Sequence, residues 1–176
     1  MTALDVALAG RWAQWRGLEP GLDPAELAML YPPAPDRRGP QGSEQFGDML
    51  DLRPPDPLTA LRVWSRKGRV VLVELEDPVA PGGADAALQA LGQPELTQPA
   101  RFTRYGYETT DHVYPARGAV LVTAQAYDHG LPGPPPDRTL RLARAELFVP
   151  TDLAHWEQEW HHFGKTRPPL CESSRQ

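Results

Sequence analysis

The chain has 176 residues, with 18 Lys or Arg against 23 Asp or Glu, a formal net charge of −5, and 40% hydrophobic residues. That length suits one domain with a buried core, and that composition excludes wholesale disorder. One cysteine, Cys171, excludes an intrachain disulfide and a thiolate metal cluster. No run approaches the ~20 apolar residues of a membrane span, and a modest acidic charge works against binding phosphate backbones. These readings lead to an expectation of a cytoplasmic chain with no cofactor, no nucleic-acid partner and no membrane partner.

Leu4, Leu8, Trp12 and Trp15 recur at helical spacing before Gly17 and predict a short N-terminal helix. Asp23-Pro24-Ala25-Glu26 supplies an N-cap acceptor, a proline where its missing N–H is harmless, and an early acid. A second helix is therefore predicted from Pro24 to Leu30, stopped at Tyr31-Pro32-Pro33. Residues 32–57 are proline-rich, with Phe46, Met49, Leu50 and Leu52 as apolar anchors, and predict a long surface segment.

Leu58–Ser65 and Arg69–Glu76 flank Arg66-Lys67-Gly68 and read as a β-hairpin. Strict alternation places Val71, Val73 and Leu75 on one face of the second arm and Val70 and Leu72 on the other; burial on both faces marks a central strand. Residues 84–91 predict a helix closed by Gly92, and residues 101–127 predict two or three strands around a turn at Pro115–Gly118. In the strand predicted over 138–149, Arg144 and Glu146 share a face with Leu140, Leu142 and Phe148, a pattern that asks for a bulge or an edge. Thr151 or Asp152 caps a last helix with the stripe Leu153, Trp156, Trp160 and Phe163. No repeat with a period of 20–50 residues is visible. The sum is an α+β domain over residues 1–164. It has a mainly antiparallel sheet of about five or six strands, helices packed on one face including the N- and C-terminal ones, and a flexible tail over 165–176.

No nucleophile elbow and no glycine-rich phosphate loop occurs in the sequence. His155, Glu159 and His162 have a spacing that could converge on a metal ion, yet they also form the polar face opposite the tryptophan stripe, and no metal is assigned. Asp111 and His112 are adjacent on a strand, so they point to opposite faces and make a poor dyad. Arg101, Arg104, Arg117, Arg138, Arg141 and Arg144 would form a basic stripe if their strands pair, with Glu95, Glu108 and Glu146 available to neutralise it. Trp15 and Trp160 are the aromatic anchors a partner surface would use.

Two readings follow. The first is a non-catalytic interaction protein, in its sharpest form an inhibitor or immunity-type protein that occludes a basic partner protein. There Asp48, Asp51, Asp56, Glu74, Glu76 and Asp77 would steer association. The second is a small-molecule binder or enzyme whose curved sheet turns Arg104, Tyr107, His112 and Arg144 into a pocket. In a third, structural arrangement the 32–57 arm would wrap a neighbouring subunit.

Overall fold

A computed structural model describes residues 20–33, 41–43, 47–53, 60–100, 107–126 and 137–160. The predicted N-terminal helix and the tail over 165–176 lie outside the described residues. Among the described residues the helices are α1 (Pro24–Leu30), α2 (Gly83–Leu91) and α3 (Leu153–Trp160), with a 3₁₀ turn at Pro115–Arg117. The strands are β1 (Gln41–Ser43), β2 (Gly47–Leu52), β3 (Ala60–Arg66), β4 (Arg69–Glu76), β5 (Leu96–Ala100), β6 (Tyr107–Tyr114), β7 (Ala119–Ala126) and β8 (Arg141–Phe148).

All eight strands form one sheet in the order β1-β2-β3-β4-β8-β7-β6-β5, and every neighbouring pair is antiparallel. The chain runs out as a four-strand meander, crosses through α2 to the far edge, and meanders back until β8 pairs with β4. The mixed α+β class with an antiparallel sheet holds, but the strand count of five or six is corrected. Seven strands have five residues or more, and β1 adds a three-residue edge. Two of the additional strands, β1 and β2, come from the proline-rich stretch read as a loop. Leu50 and Leu52, noted there as anchors, project into the core because β2 pairs with β3.

Helices lie on both faces of the sheet, which corrects the expectation of one. Leu27 of α1 and Ala84, Ala87 and Leu91 of α2 pack with Leu61, Val63, Val73, Leu75, Leu121 and Ala145 on one face. Leu153 and Trp156 of α3 pack with Leu72, Val113, Val120 and Phe148 on the other. The physical reason is that the central strands present apolar side chains in both directions, so each face needs cover. We call these the α1/α2 face and the α3 face.

Two bulges decide which residues reach which face. In β4, Trp64 pairs with Leu72 and Ser65 with Val70, leaving Val71 as the extra residue. In β8, Val122 pairs with Arg144 and Thr123 with Leu142, leaving Ala143 as the extra residue. Alternation therefore restarts across each bulge. Val70 joins Val73 and Leu75 on the α1/α2 face, while Val71 and Leu72 turn to the α3 face, correcting the strict alternation expected for β4. Leu142 likewise parts company with Arg144, Glu146 and Phe148, and β8 is a central strand with a bulge, not an edge.

Local chemistry explains the element ends. Asp23 Oδ1 accepts from the Ala25 N–H at 2.8 Å at the start of α1, and Asp152 Oδ1 accepts from the His155 N–H at 2.8 Å at the start of α3. Lys67 (φ 50) and Gly68 (φ 70) both adopt the left-handed region, the conformation of a tight type I′ hairpin turn. Gly118 (φ 66) lies where any Cβ would run into the Phe148 carbonyl oxygen, so the β6–β7 corner requires glycine. The outermost strand β5 carries Pro99 opposite Thr110. Among the described residues, no helix is long and apolar enough to cross a membrane.

Candidate functional site

The most concentrated chemistry is on the α3 face, where registered pairing builds a row of charges across four strands. Asp51 pairs with Arg62, Arg62 with Glu74, and Glu74 with Glu146; beside this row, Glu76 pairs with Arg144. Glu74, Glu76, Arg144 and Glu146 are all buried, and Glu74 is only 2% exposed. Buried charges are tolerated only when paired, and here each faces an opposite charge.

Arg62 holds the β2–β3 side. Its Nε donates to Asp51 Oδ1 at 2.9 Å, and its Nη1 lies 3.7 Å from Glu74 Oε2 and 3.9 Å from Glu76 Oε1. Burial by itself would lower the Arg62 pKa. The fields of Glu74, Asp51 and Glu76, together with the hydrogen bond to Asp51, outweigh it and hold the group above the ordinary arginine value. Trp64 Nε1 donates to Glu74 Oε2 at 2.9 Å, so Glu74 is fixed on that side by an indole as well as a guanidinium. On the other side Arg144 Nη1 lies 3.6 Å from Glu74 Oε1 and 3.8 Å from Glu146 Oε1. These are ion-pair distances, longer than a hydrogen bond, and the buried Arg144 Nε makes no hydrogen bond.

Among the described residues, those singled out from the sequence are spread over both faces of the sheet. Arg104, Trp15 and His162 lie outside the described residues, and so does the side chain of Trp160, the last residue of α3. Arg144 is the one candidate that falls in the charged row. Tyr107 shares its face at one end of β6, with the Arg141 guanidinium stacked 4.7 Å from the ring centroid. Arg141 itself is exposed and pairs with Asp77 at 3.5 Å.

His112 points to the α1/α2 face, away from Arg144, because it pairs with Leu121. Its Nε2 is 3.0 Å from the Thr123 hydroxyl, which donates on to the Thr110 carbonyl, and burial lowers its pKa. Arg117 is exposed in the 3₁₀ turn. His155 sits exposed at the start of α3, with its Nδ1 3.3 Å from Asp152 Oδ2, and Glu159 is exposed one turn on. Among the described residues, no three His, Cys, Asp or Glu side chains are placed to hold a metal ion.

The steering acids are corrected as well. Glu74, Glu76 and Asp51 are committed to Arg62 and Arg144 inside the sheet, which leaves Asp48 and Asp77 of that set exposed, while Asp56 lies outside the described residues. Sequence reading missed Arg62, Trp64 and the role of Glu74. The available signal was the string of charged residues inside two β-favouring runs, Arg62 in one arm and Glu74 and Glu76 in the other.

A second feature is apolar. Met29 (85% exposed), Leu30 (56%) and Val79 (49%) are large hydrophobic side chains left in solvent. Pro33 bridges to Leu52, Leu52 pairs with Leu61, and Leu61 with Leu75, so the end of α1 and the chain leaving β4 toward Val79 lie at the same end of the sheet. Exposed carboxylates at Glu26, Asp77 and Asp85 and the exposed Arg53 accompany them. Set against models of protein families, curated proteins and solved structures, the chain has no match.

Proposed function

We propose that the protein works as a cytoplasmic interaction protein, docking a partner protein through the apolar end of the sheet formed by Met29, Leu30 and Val79. The observation that carries this reading is that three of the four large apolar side chains exposed among the described residues, Met29, Leu30 and Val79, lie at one end of the sheet, with Val149 following β8 as the fourth. Large apolar groups left in water beside charged ones are the composition of a docking surface. The occluding, inhibitor-type form of the reading keeps a basic partner, since the chain carries a net charge of −5, but moves the steering role from Glu74 and Glu76 to the exposed Glu26, Asp77 and Asp85. The test is capture of a stoichiometric partner by the intact chain and by a Met29→Ser/Leu30→Ser variant. Loss of capture with an unchanged melting temperature supports the reading; undiminished capture removes this end of the sheet from it.

A second reading, a small-molecule binder, is favoured by the Arg144 Nε, a buried donor with no acceptor. It predicts a small ligand that leaves with the protein on gentle purification and is seen by native mass spectrometry. A single protein-only mass, with no shift on denaturation, counts against it.

A further inference from the structure

The two meanders are copies of one plan. Each begins with a helix on the α1/α2 face and continues as four antiparallel strands: α1 with β1–β4, then α2 with β5–β8. The registers repeat in detail. Leu61↔Leu75, Arg62↔Glu74, Val63↔Val73, Trp64↔Leu72, Ser65↔Val70 and Arg66↔Arg69 in the first half reappear as Ala119↔Leu147, Val120↔Glu146, Leu121↔Ala145, Val122↔Arg144, Thr123↔Leu142 and Ala124↔Arg141 in the second. The bulges fall at the same step, Val71 in one half and Ala143 in the other.

The outer strands follow suit. Leu50↔Val63 and Leu52↔Leu61 correspond to His112↔Leu121 and Tyr114↔Ala119, and Gly42↔Asp48 corresponds to Pro99↔Thr110. At this alignment β4 and β8 share Arg69 with Arg141, Glu74 with Glu146 and Leu75 with Leu147, and are apolar together at Val70 with Leu142 and Val73 with Ala145.

The seam between the halves is itself symmetric. Glu74 pairs with Glu146, its own counterpart, while Leu72↔Phe148 and Glu76↔Arg144 exchange places under the same operation. A local two-fold axis therefore passes through the sheet between Glu74 and Glu146. Two like charges directly opposite on a ladder repel, and the cation that faces both is Arg144, whose own counterpart is Leu72.

We propose that the chain is a duplicated αββββ unit and that the centre of its α3 face is a guanidinium-binding site on the two-fold axis, formed by one glutamate from each unit and occupied by Arg144. Because Leu72 and Arg144 are equivalent, a guanidinium placed at position 72 meets the same two carboxylates from the other side of the axis.

The test uses the full chain. Arg144→Ala lowers the melting temperature at pH 7 by roughly 10 °C, as expected for a buried pair that loses one partner. Adding Leu72→Arg to Arg144→Ala returns at least half of the loss. A folded double variant no more stable than Arg144→Ala overturns the proposal. Should the double variant not fold, methylguanidinium at millimolar concentration, set against equal sodium chloride, decides the matter. A rise in the melting temperature of Arg144→Ala supports the site, since a ligand that binds only the folded state stabilises it; no rise overturns it.

Discussion

Arg62 and Arg144 show how one residue type takes on different duties a few ångströms apart. Arg62 is held by a 2.9 Å hydrogen bond to Asp51, whereas Arg144 is held by attraction at 3.6 and 3.8 Å and keeps its Nε free of hydrogen bonds. A guanidinium fork discriminates by hydrogen-bond geometry, so Arg62 fixes where Asp51 sits, while toward Glu74 both Arg62, at 3.7 Å, and Arg144 supply mainly charge.

His112 makes a separate contribution at the same scale. Burial lowers its pKa below the ordinary 6.5, so the folded chain binds this proton less readily than the unfolded one. The sign follows: the stability tied to neutral His112 is complete above about pH 6.5 and is lost as pH falls toward and through the lower folded value. Urea midpoints at pH 7 and pH 5 should therefore fall further for the native chain than for His112→Gln, which keeps a side-chain partner for Thr123 but does not titrate. Equal falls would show that His112 does not couple to folding.

Among the elements, the β3–β4 hairpin is the one the sequence states most fully, and its turn still has room for improvement. Lys67 adopts φ 50 at a position where asparagine carries less strain, so Lys67→Asn should raise stability by about 0.5 kcal/mol, read as a higher urea midpoint with an unchanged slope. A lowered midpoint would mean that Lys67 has a tertiary role beyond the turn.

The same local chemistry made α1 legible to the residue, because Asp23, Pro24 and Tyr31-Pro32 each act on their nearest neighbours. Gly92 closed α2 and Pro115–Gly118 made the β6–β7 corner for the same reason. The elements that escaped were those held by long-range pairing. β2 reads as loop because Gly47, Asp48 and Asp51 weaken its pattern, and it becomes a strand when Leu50 and Leu52 line up with Val63 and Leu61. The faces of β4 were misread for a related reason: a bulge is a property of the pair, and nothing in Val70-Val71-Leu72 marks which residue will be extra, whereas in β8 the broken alternation itself asked for the bulge that is found there. The charged row was half legible. Arg144 stood out as an arginine within an apolar strand with Glu146 beside it, but its partner Glu74 comes from β4, far away in sequence, and only the crossover brings them together.

At the scale of the whole molecule the order of strands sets the order of stability. β4 and β8 sit at the middle with partners on both sides, helices over both faces and the charged row between them, whereas β1 and β5 have one neighbour each. Native-state hydrogen exchange should accordingly be slowest for the amides of β4 and β8 and fastest, among the strands, for β1 and β5. Faster exchange in β4 than in β2 or β6 would mean that the halves part at the seam before they fray at the rim.

The two margins of the sheet also bear on how the molecule keeps to itself. An antiparallel sheet has no intrinsic limit: each outer strand offers a row of unused amides and carbonyls on which the next chain can continue the ladder. Among the described residues one margin is three residues long, and the other carries Pro99, which has no N–H to give. At these two described margins a neighbouring chain that added a strand would gain few ladder bonds.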